Sequence, residues 1–341
     1  MVSLNKSIYT LISLCLASVY AGKDGYQIYH ADDFPVQACT GVIGKTATFF
    51  GEDVKNGYCD IGNQPALGTM AECIEYMMNY KNKNSRKLFL KSCKKKNLTE
   101  DQYFAALQNA TDFGFVNTTA EEGFNKSTLY YKPVLLTQKK VDKAYDAVAT
   151  RWYNYNYAQW FGIALMCYWF GVLFIAGAIN LCYFLFPSFI KSFKGGIVNA
   201  FRKYFTLPAL FSKTHVHHKV VLKYLVVMFP TRLESIIVFG WFAMALIMCC
   251  TNYVHVVPNY IWPDKSNELG RKVADRTGQI VMWLMPPLVL FAGRNNFMQW
   301  ISGWLCARFV YIHKWISRIV FFMSIAHAVG MTYNGKKLGK Y

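Results

Sequence analysis

Two histidines near the carboxyl end of the chain could bind a metal or a cofactor. His313 and His327 are fourteen positions apart in an apolar stretch that we predict to be helical. That separation is ~21 Å along a helix axis, and both rings point to nearly the same side. One ring would then lie near each of the two surfaces of a membrane. The pattern fits axial ligands of two stacked haems, but either imidazole could instead be hydrogen-bonded inside a helix bundle, and the spacing leaves both interpretations open.

The composition indicates that these histidines belong to a membrane protein. Of the 341 residues, 54% are hydrophobic, 17% are aromatic and 16% are charged, whereas soluble domains carry about 25% charged residues. We predict an all-α membrane protein with about four transmembrane helices behind a small disulfide-bonded exterior domain. Pro286 and Pro287 are expected to kink the third helix. The four predicted helices span about residues 158–186, 235–257, 277–292 and 309–333.

The charges between the predicted helices indicate how the chain crosses the membrane. Residues 188–232 contain eight basic residues and no acidic residue, so the positive-inside rule places this loop in the cytosol. The amino-terminal region then faces outside, and a loop with Asp264, Glu268 and Asp275 returns there. Basic cytosolic loops also explain why the formal net charge of the chain is as high as +18. We therefore predict the lipid bilayer, and no nucleic acid, as a partner.

The amino-terminal region has the features of an exported domain. Residues 1–21 combine Lys6 with a short apolar run and small residues up to Ala21, which is typical of a cleaved signal peptide. An uncleaved anchor is the alternative, but the run is too short to span a bilayer comfortably. Residues 22–151 are then predicted to form an extracellular domain, with helices over Thr69–Tyr80 and Leu98–Leu107, the second capped by Thr99.

Two groups of residues support the exported location of residues 22–151. Four cysteines predict two disulfides, and three pairings are open. Four glycosylation sequons lie close together, which favours a stretch that faces the lumen. The cysteines are Cys39, Cys59, Cys73 and Cys93, and the acceptor asparagines are Asn97, Asn109, Asn117 and Asn125.

The carboxyl-terminal part of the chain resembles a known family. The motifs are Leu290-Phe-Ala-Gly-Arg-Asn-Asn296, the stretch Trp300–Trp304, His313-Lys-Trp-Ile-Ser-Arg318 and Ala326-His327. A Gly-Arg-Asn-Asn loop followed by a helix with two histidines fourteen residues apart resembles the ferric reductases of fungi, which share a haem core with NADPH oxidases. About forty residues carry the resemblance well, and the signal peptide, the cysteine-bearing domain and the extra first helix match it loosely.

The resemblance implies a function in iron and copper uptake. NADPH would reduce a cytosolic FAD, and electrons would pass through an inner and an outer b-type haem to ferric or cupric chelates outside the cell. By this resemblance His313 is the inner-haem ligand and His327 the outer-haem ligand, each haem being held by two histidines. Residues 152–341 would form the transmembrane ferric-reductase-like region of a multi-pass protein in the plasma membrane. No nucleophile–base pair for catalysis emerges from the sequence.

The chain departs from the family pattern in one respect. It contains neither a second helix with a histidine pair nor a recognisable FAD or NADPH motif. We therefore expect a fragment, a truncated gene product or a degenerate copy, without ferric reductase activity of its own. A separate chain carrying the other helices and the flavin domain would be its partner. The alternative is a non-enzymatic, reductase-derived membrane subunit or relic that binds no haem.

Overall fold

A computed structural model describes residues 28–50, 57–118, 127–211, 218–221, 225–228 and 230–339. The predicted signal peptide and Asn125 lie outside these residues. The described chain is mainly α-helical, which confirms the predicted fold class, and it forms two compact units. The first, here called the disulfide unit, comprises the described residues up to Asn156 together with Tyr253–Lys272. The second, the membrane unit, comprises the described residues of Tyr157–Asn252 and Val273–Tyr341.

The disulfide unit contains four whole helices and the first parts of two longer ones. Thr99 caps the fourth helix as predicted, because its hydroxyl accepts a hydrogen bond from the Gln102 amide while the Gln102 side chain accepts one from the Thr99 amide. Pairs of two-residue strands connect the helices: β1 (Thr48–Phe49) with β3 (Leu129–Tyr130), and β2 (Val116–Asn117) with β4 (Val134–Leu135). The helices are α1 (Phe34–Thr46), α2 (Gln64–Tyr80), α3 (Ser85–Ser92), α4 (Glu100–Phe113) and α5 (Gln138–Leu185).

Two disulfides and a buried apolar core hold this unit together. Cys39 on α1 is bonded to Cys73 on α2, and Cys59 is bonded to Cys93, so the two predicted disulfides are present with one of the three open pairings. Tyr103 of α4 is fully buried, and its one hydroxyl hydrogen is shared between the Ala71 carbonyl at 3.1 Å and the Glu75 carboxylate at 2.9 Å. Burial and the neighbouring carboxylate raise the pKa of Tyr103.

Three helices of the described chain are long and apolar enough to cross a membrane: α5, α8 (Arg232–Cys250) and α11 (Cys306–Lys337). Helix α5 begins at Gln138 rather than near residue 158, because Val141, Ala144 and Val148 continue its buried face toward the amino terminus. The connections between the long helices contain short elements: α6 (Pro187–Ser192), α7 (Gly196–Phe201), a π-helix (Arg202–Thr206), a hairpin of β5 (His218–Val221) with β6 (Leu225–Met228), and α10 (Phe297–Ser302).

The third predicted span differs from the prediction. Helix α9 (Lys265–Ala292) begins twelve residues before the predicted start at residue 277, so Glu268 and Asp275 lie in the helix and not in a loop. Glu268 is paired with Lys272 one turn later, and both are buried, which lets charged residues continue the helix. This polar first half keeps α9 out of the three apolar spans. Pro286 and Pro287 lie within a continuous helix.

Helix α8 is also shorter than predicted. It ends at Cys250 and not near residue 257, because Thr251 is extended and Asn252 has a left-handed backbone with φ of 59°. Its amino terminus is capped by Thr231 and Glu234 in reciprocal hydrogen bonds. Glu234 also pairs with Arg308 of α11, with 2.7 Å between Oε1 and Nε.

Four helices of the membrane unit meet at one aromatic cluster. Trp169 of α5, Trp241 of α8 and Phe291 of α9 are fully buried, as is Phe309 of α11. The ring centroids of Trp169 and Trp241 are 5.4 Å apart, and those of Phe291 and Phe309 are 5.6 Å apart. The cluster joins α9 to the three apolar helices, so all four pack as one bundle.

Candidate functional site

The two predicted ligand residues lie on α11 and face α9. Both imidazoles are half-buried. Nδ1 of His313 lies 2.8 Å from the carbonyl oxygen of Leu288, and Nδ1 of His327 lies 2.7 Å from that of Ala274. A carbonyl oxygen only accepts, so each Nδ1 carries the hydrogen and donates it. In the neutral ring this leaves the lone pair on Nε2, which is the form of histidine that ligates a metal.

The same hydrogen bond occurs twice because of the register between α9 and α11. His313 and His327 are fourteen residues apart, and so are their acceptors, Ala274 and Leu288, in the opposite order. Because the helices run antiparallel with equal rise per residue, one register serves both contacts. Helix α9 thus fixes the tautomer of both rings.

A glycine lets α9 approach the ring of His327 closely. A Cβ added at Gly278 would lie 2.6 Å from Nδ1 and 2.8 Å from Cε1 of His327, closer than real contacts allow. Gly278 is therefore required for this ring position. A cavity of about 370 Å³ opens beside the ring, between α9 and α11. It is lined by Asp275, Gly278, Gln279, Val281, Met282, Ser324 and His327.

His313 has a different neighbour one helical turn away. The hydroxyl of Ser317 donates to the backbone carbonyl of His313 at 2.7 Å and lies 3.4 Å from Nε2 of the ring. A serine hydroxyl has one hydrogen, which this carbonyl takes, so Nε2 of His313 stays available as a ligand.

Arg276 anchors the part of α9 that holds His327. Its side chain is 1% exposed and donates to the carbonyls of Met248, Thr251 and Asn252 at the end of α8, at 3.1 Å for Met248 and 2.9 Å for Asn252. These carbonyls have no partner within α8, so the guanidinium satisfies them. Arg276 is two residues from Ala274 on the same helix. Because Arg276 is anchored, the position of the Ala274 carbonyl along the helix axis is fixed.

The two candidate ligands could be predicted from the sequence, but the groups that orient them could not. Backbone carbonyls leave no mark in a sequence, so Ala274 and Leu288 could not be found. Gly278 was a usable signal, since a glycine inside an apolar helix often marks a close approach. Arg318 is exposed and lies over the Trp315 ring at 4.7 Å.

The donor set fits haem better than a metal ion held by protein alone. Within the described residues, no group of three or more His, Cys, Asp or Glu side chains could hold a metal ion. The site instead offers two single imidazoles, each with Nδ1 satisfied and Nε2 free. Haem needs only axial ligands from the protein, because the macrocycle supplies the other four.

Comparison with known proteins identifies relatives of this chain. Residues 277–340 match the family described as "Ferric reductase like transmembrane component". The chain is 38% identical over 211 residues to the "Probable ferric reductase transmembrane component" of Candida albicans, covering 61% of this chain and 32% of the relative. It is 29% identical to "Ferric/cupric reductase transmembrane component 1" of Candida albicans, covering 98% of this chain and 52% of the relative.

A third relative comes from another yeast. "Ferric reductase transmembrane component 4" of Saccharomyces cerevisiae is 31% identical over 288 residues, covering 81% of this chain and 39% of the relative. The chain thus spans between about a third and a half of the length of the curated relatives it matches. No solved structure matches the chain significantly.

Proposed function

We propose that this chain, which belongs to the ferric reductase family of membrane proteins, carries electrons across the plasma membrane through haem groups ligated by His313 and His327. The electrons would reduce ferric or cupric chelates outside the cell, for iron and copper uptake. The observation that most directly supports this proposal is the pair of imidazoles, in each of which Nδ1 is hydrogen-bonded to α9 and Nε2 is free. That arrangement presents two identical ligands ~21 Å apart along one helix.

The residues of the chain would do three things toward this function. The carbonyls of Ala274 and Leu288 hold each ring in one tautomer and make Nε2 a stronger ligand. Gly278 leaves room for the His327 ring, and the cavity beside it gives space for a bound group. When bound, haem iron accepts and donates one electron at a time, which matches reduction of one ferric ion to ferrous.

The electron donor and the second ligands lie beyond the described residues in this proposal. NADPH and FAD would supply the electrons on the cytosolic side. In the described part of the chain, α11 is the one apolar span that carries histidines. The second axial ligand of each haem would come from another helix, either on the same polypeptide or on a separate chain.

A Soret band tests the proposed haem directly. We expect the protein, purified from fungal membranes with its natural partners, to absorb in the Soret region and to give a low-spin signal in electron paramagnetic resonance, as two axial imidazoles require. A preparation that stays free of Soret absorbance after growth with added haem would contradict the proposal. It would instead support the non-enzymatic subunit that binds no haem.

The proposed orientation predicts glycans on the disulfide unit. Asn97, Asn109 and Asn117 are exposed, and with Asn125 they form sequons that are modified only on the luminal side. Endoglycosidase treatment of protein from a fungal host is expected to increase its gel mobility. Replacing all four asparagines by glutamine should abolish that shift. Unchanged mobility of the wild-type protein would count against an extracellular disulfide unit.

A further inference from the structure

The segment that connects α5 to α8 has an unusual combination of side chains. Residues 187–211 contain four basic residues and no acidic residue. Lys191, Lys194 and Lys203 are exposed, and Arg202 is half-exposed. The four basic side chains lie between residues 191 and 203, so this part of the segment presents a positive surface rather than a single charge.

Large apolar side chains alternate with these charges and are also exposed. The exposed fraction is 88% for Ile197 and 71% for Leu207. Phe189, Phe193, Phe201 and Phe205 are exposed as well. So many apolar residues on one short segment are rare on a surface that faces water, and they mark a contact with a membrane or a partner.

Both ends of the segment are tied to the ends of apolar spans. At its start, α6 follows α5 directly, and the Ile190 amide donates to the Phe186 carbonyl at 3.1 Å. At its end, Leu210 donates to the Pro230 carbonyl at 2.9 Å, and Arg232 donates to the Pro208 carbonyl at 3.1 Å. These bonds keep the segment at the level where α5 ends and α8 begins, which is the interface of a bilayer with water.

We infer that residues 187–211 form a binding surface for anionic phospholipid head groups. Exposed aromatic and aliphatic side chains enter the boundary between head groups and acyl chains, and the ammonium and guanidinium groups pair with the phosphodiesters and carboxylates there. A soluble acidic partner would satisfy the charges but would not explain the apolar side chains at that depth. In the proposed orientation this surface faces the cytosolic leaflet, where anionic lipids are concentrated.

Lipid retention by the purified protein tests this surface. The protein in a neutral detergent is incubated with equal amounts of phosphatidylserine and phosphatidylcholine, and bound lipids are counted by native mass spectrometry. We expect preferential retention of phosphatidylserine, lost at an ionic strength of about 1 M because the Debye length falls to ~3 Å. Replacing Lys191, Lys194, Arg202 and Lys203 by glutamine should lower that retention by roughly tenfold or more.

Two matched variants show whether a loss of lipid retention comes from the lost charge or from misfolding. In the control, four exposed lysines of the disulfide unit, Lys91, Lys94, Lys95 and Lys96, are replaced by glutamine, and retention should stay as in the wild type. A second variant with Lys191→Arg, Lys194→Arg and Lys203→Arg keeps the charge and should also retain the lipid. The inference is overturned if the wild type shows no preference, if the glutamine variant of residues 191–203 keeps it, or if the control loses it equally.

Discussion

Replacing His313 or His327 by alanine is expected to remove haem from the protein and to reduce electron transfer to the level of an empty vector. In the proposed function the axial bond to Nε2 is lost with the imidazole, and the methyl group of alanine cannot replace it. The measurements are haem content by absorbance and surface reduction of a ferric chelate in a reductase-null fungal strain, with the variants placed in a full reductase context. A variant with normal haem content would contradict the ligand assignment.

Two further variants show whether the loss is specific. His30 is exposed in the disulfide unit, so His30→Ala should leave haem content and reduction unchanged. Gly278→Ala keeps both histidines but places a Cβ where the ring of His327 now lies. In the proposed function it should change the spectrum and redox potential of the haem ligated by His327, while the haem ligated by His313 is retained. Gly171→Ala, on α5 with open space around it, is the matched glycine control.

Removing the bond between Cys59 and Cys93 is expected to destabilise the disulfide unit by about 4 kcal/mol, which is the chain-entropy estimate for its loop. The two cysteines are 34 residues apart. Replacing both by alanine should make residues 28–156 susceptible to proteolysis at denaturant concentrations that the wild type resists. The measurement is limited proteolysis of the intact protein across a urea series.

A free cysteine provides the control for that experiment. Cys182 is exposed on α5 and is not disulfide-bonded, so Cys182→Ala should leave the proteolysis profile unchanged. The wild type treated with a reductant loses both disulfides and should be at least as susceptible as the double variant, which keeps the bond between Cys39 and Cys73. Equal resistance of the double variant and the wild type would show that the apolar core alone stabilises the unit.

Much of this architecture could be predicted because it depends on side-chain patterns. Apolar stretches located the spanning helices, and Thr99 marked the start of α4 because its hydroxyl caps that helix. The start of α9 was misplaced because Glu268 and Asp275 resemble loop residues. Only the fold reveals that Lys272 is buried beside Glu268, where the two charges compensate each other.

The candidate site, too, could be predicted only in part. The types and spacing of His313 and His327 were visible in the sequence, but the groups that orient them were not. The acceptors at Ala274 and Leu288 are backbone atoms, and any residue type could supply them. Arg276 carried a charge inside a predicted loop, and its role at the end of α8 depends on a tertiary contact.

The matched spacing of the two hydrogen bonds constrains how this pair of helices can change. A deletion of one residue between Ala274 and Leu288 would turn one carbonyl about 100° away from its imidazole while leaving the other in place. The same holds for a deletion between His313 and His327. Substitutions can accumulate along both helices, but a change of length in one must be accompanied by an equal change in the other. The distance between the two imidazoles is therefore a fixed dimension of the protein, set by a residue count that two helices share.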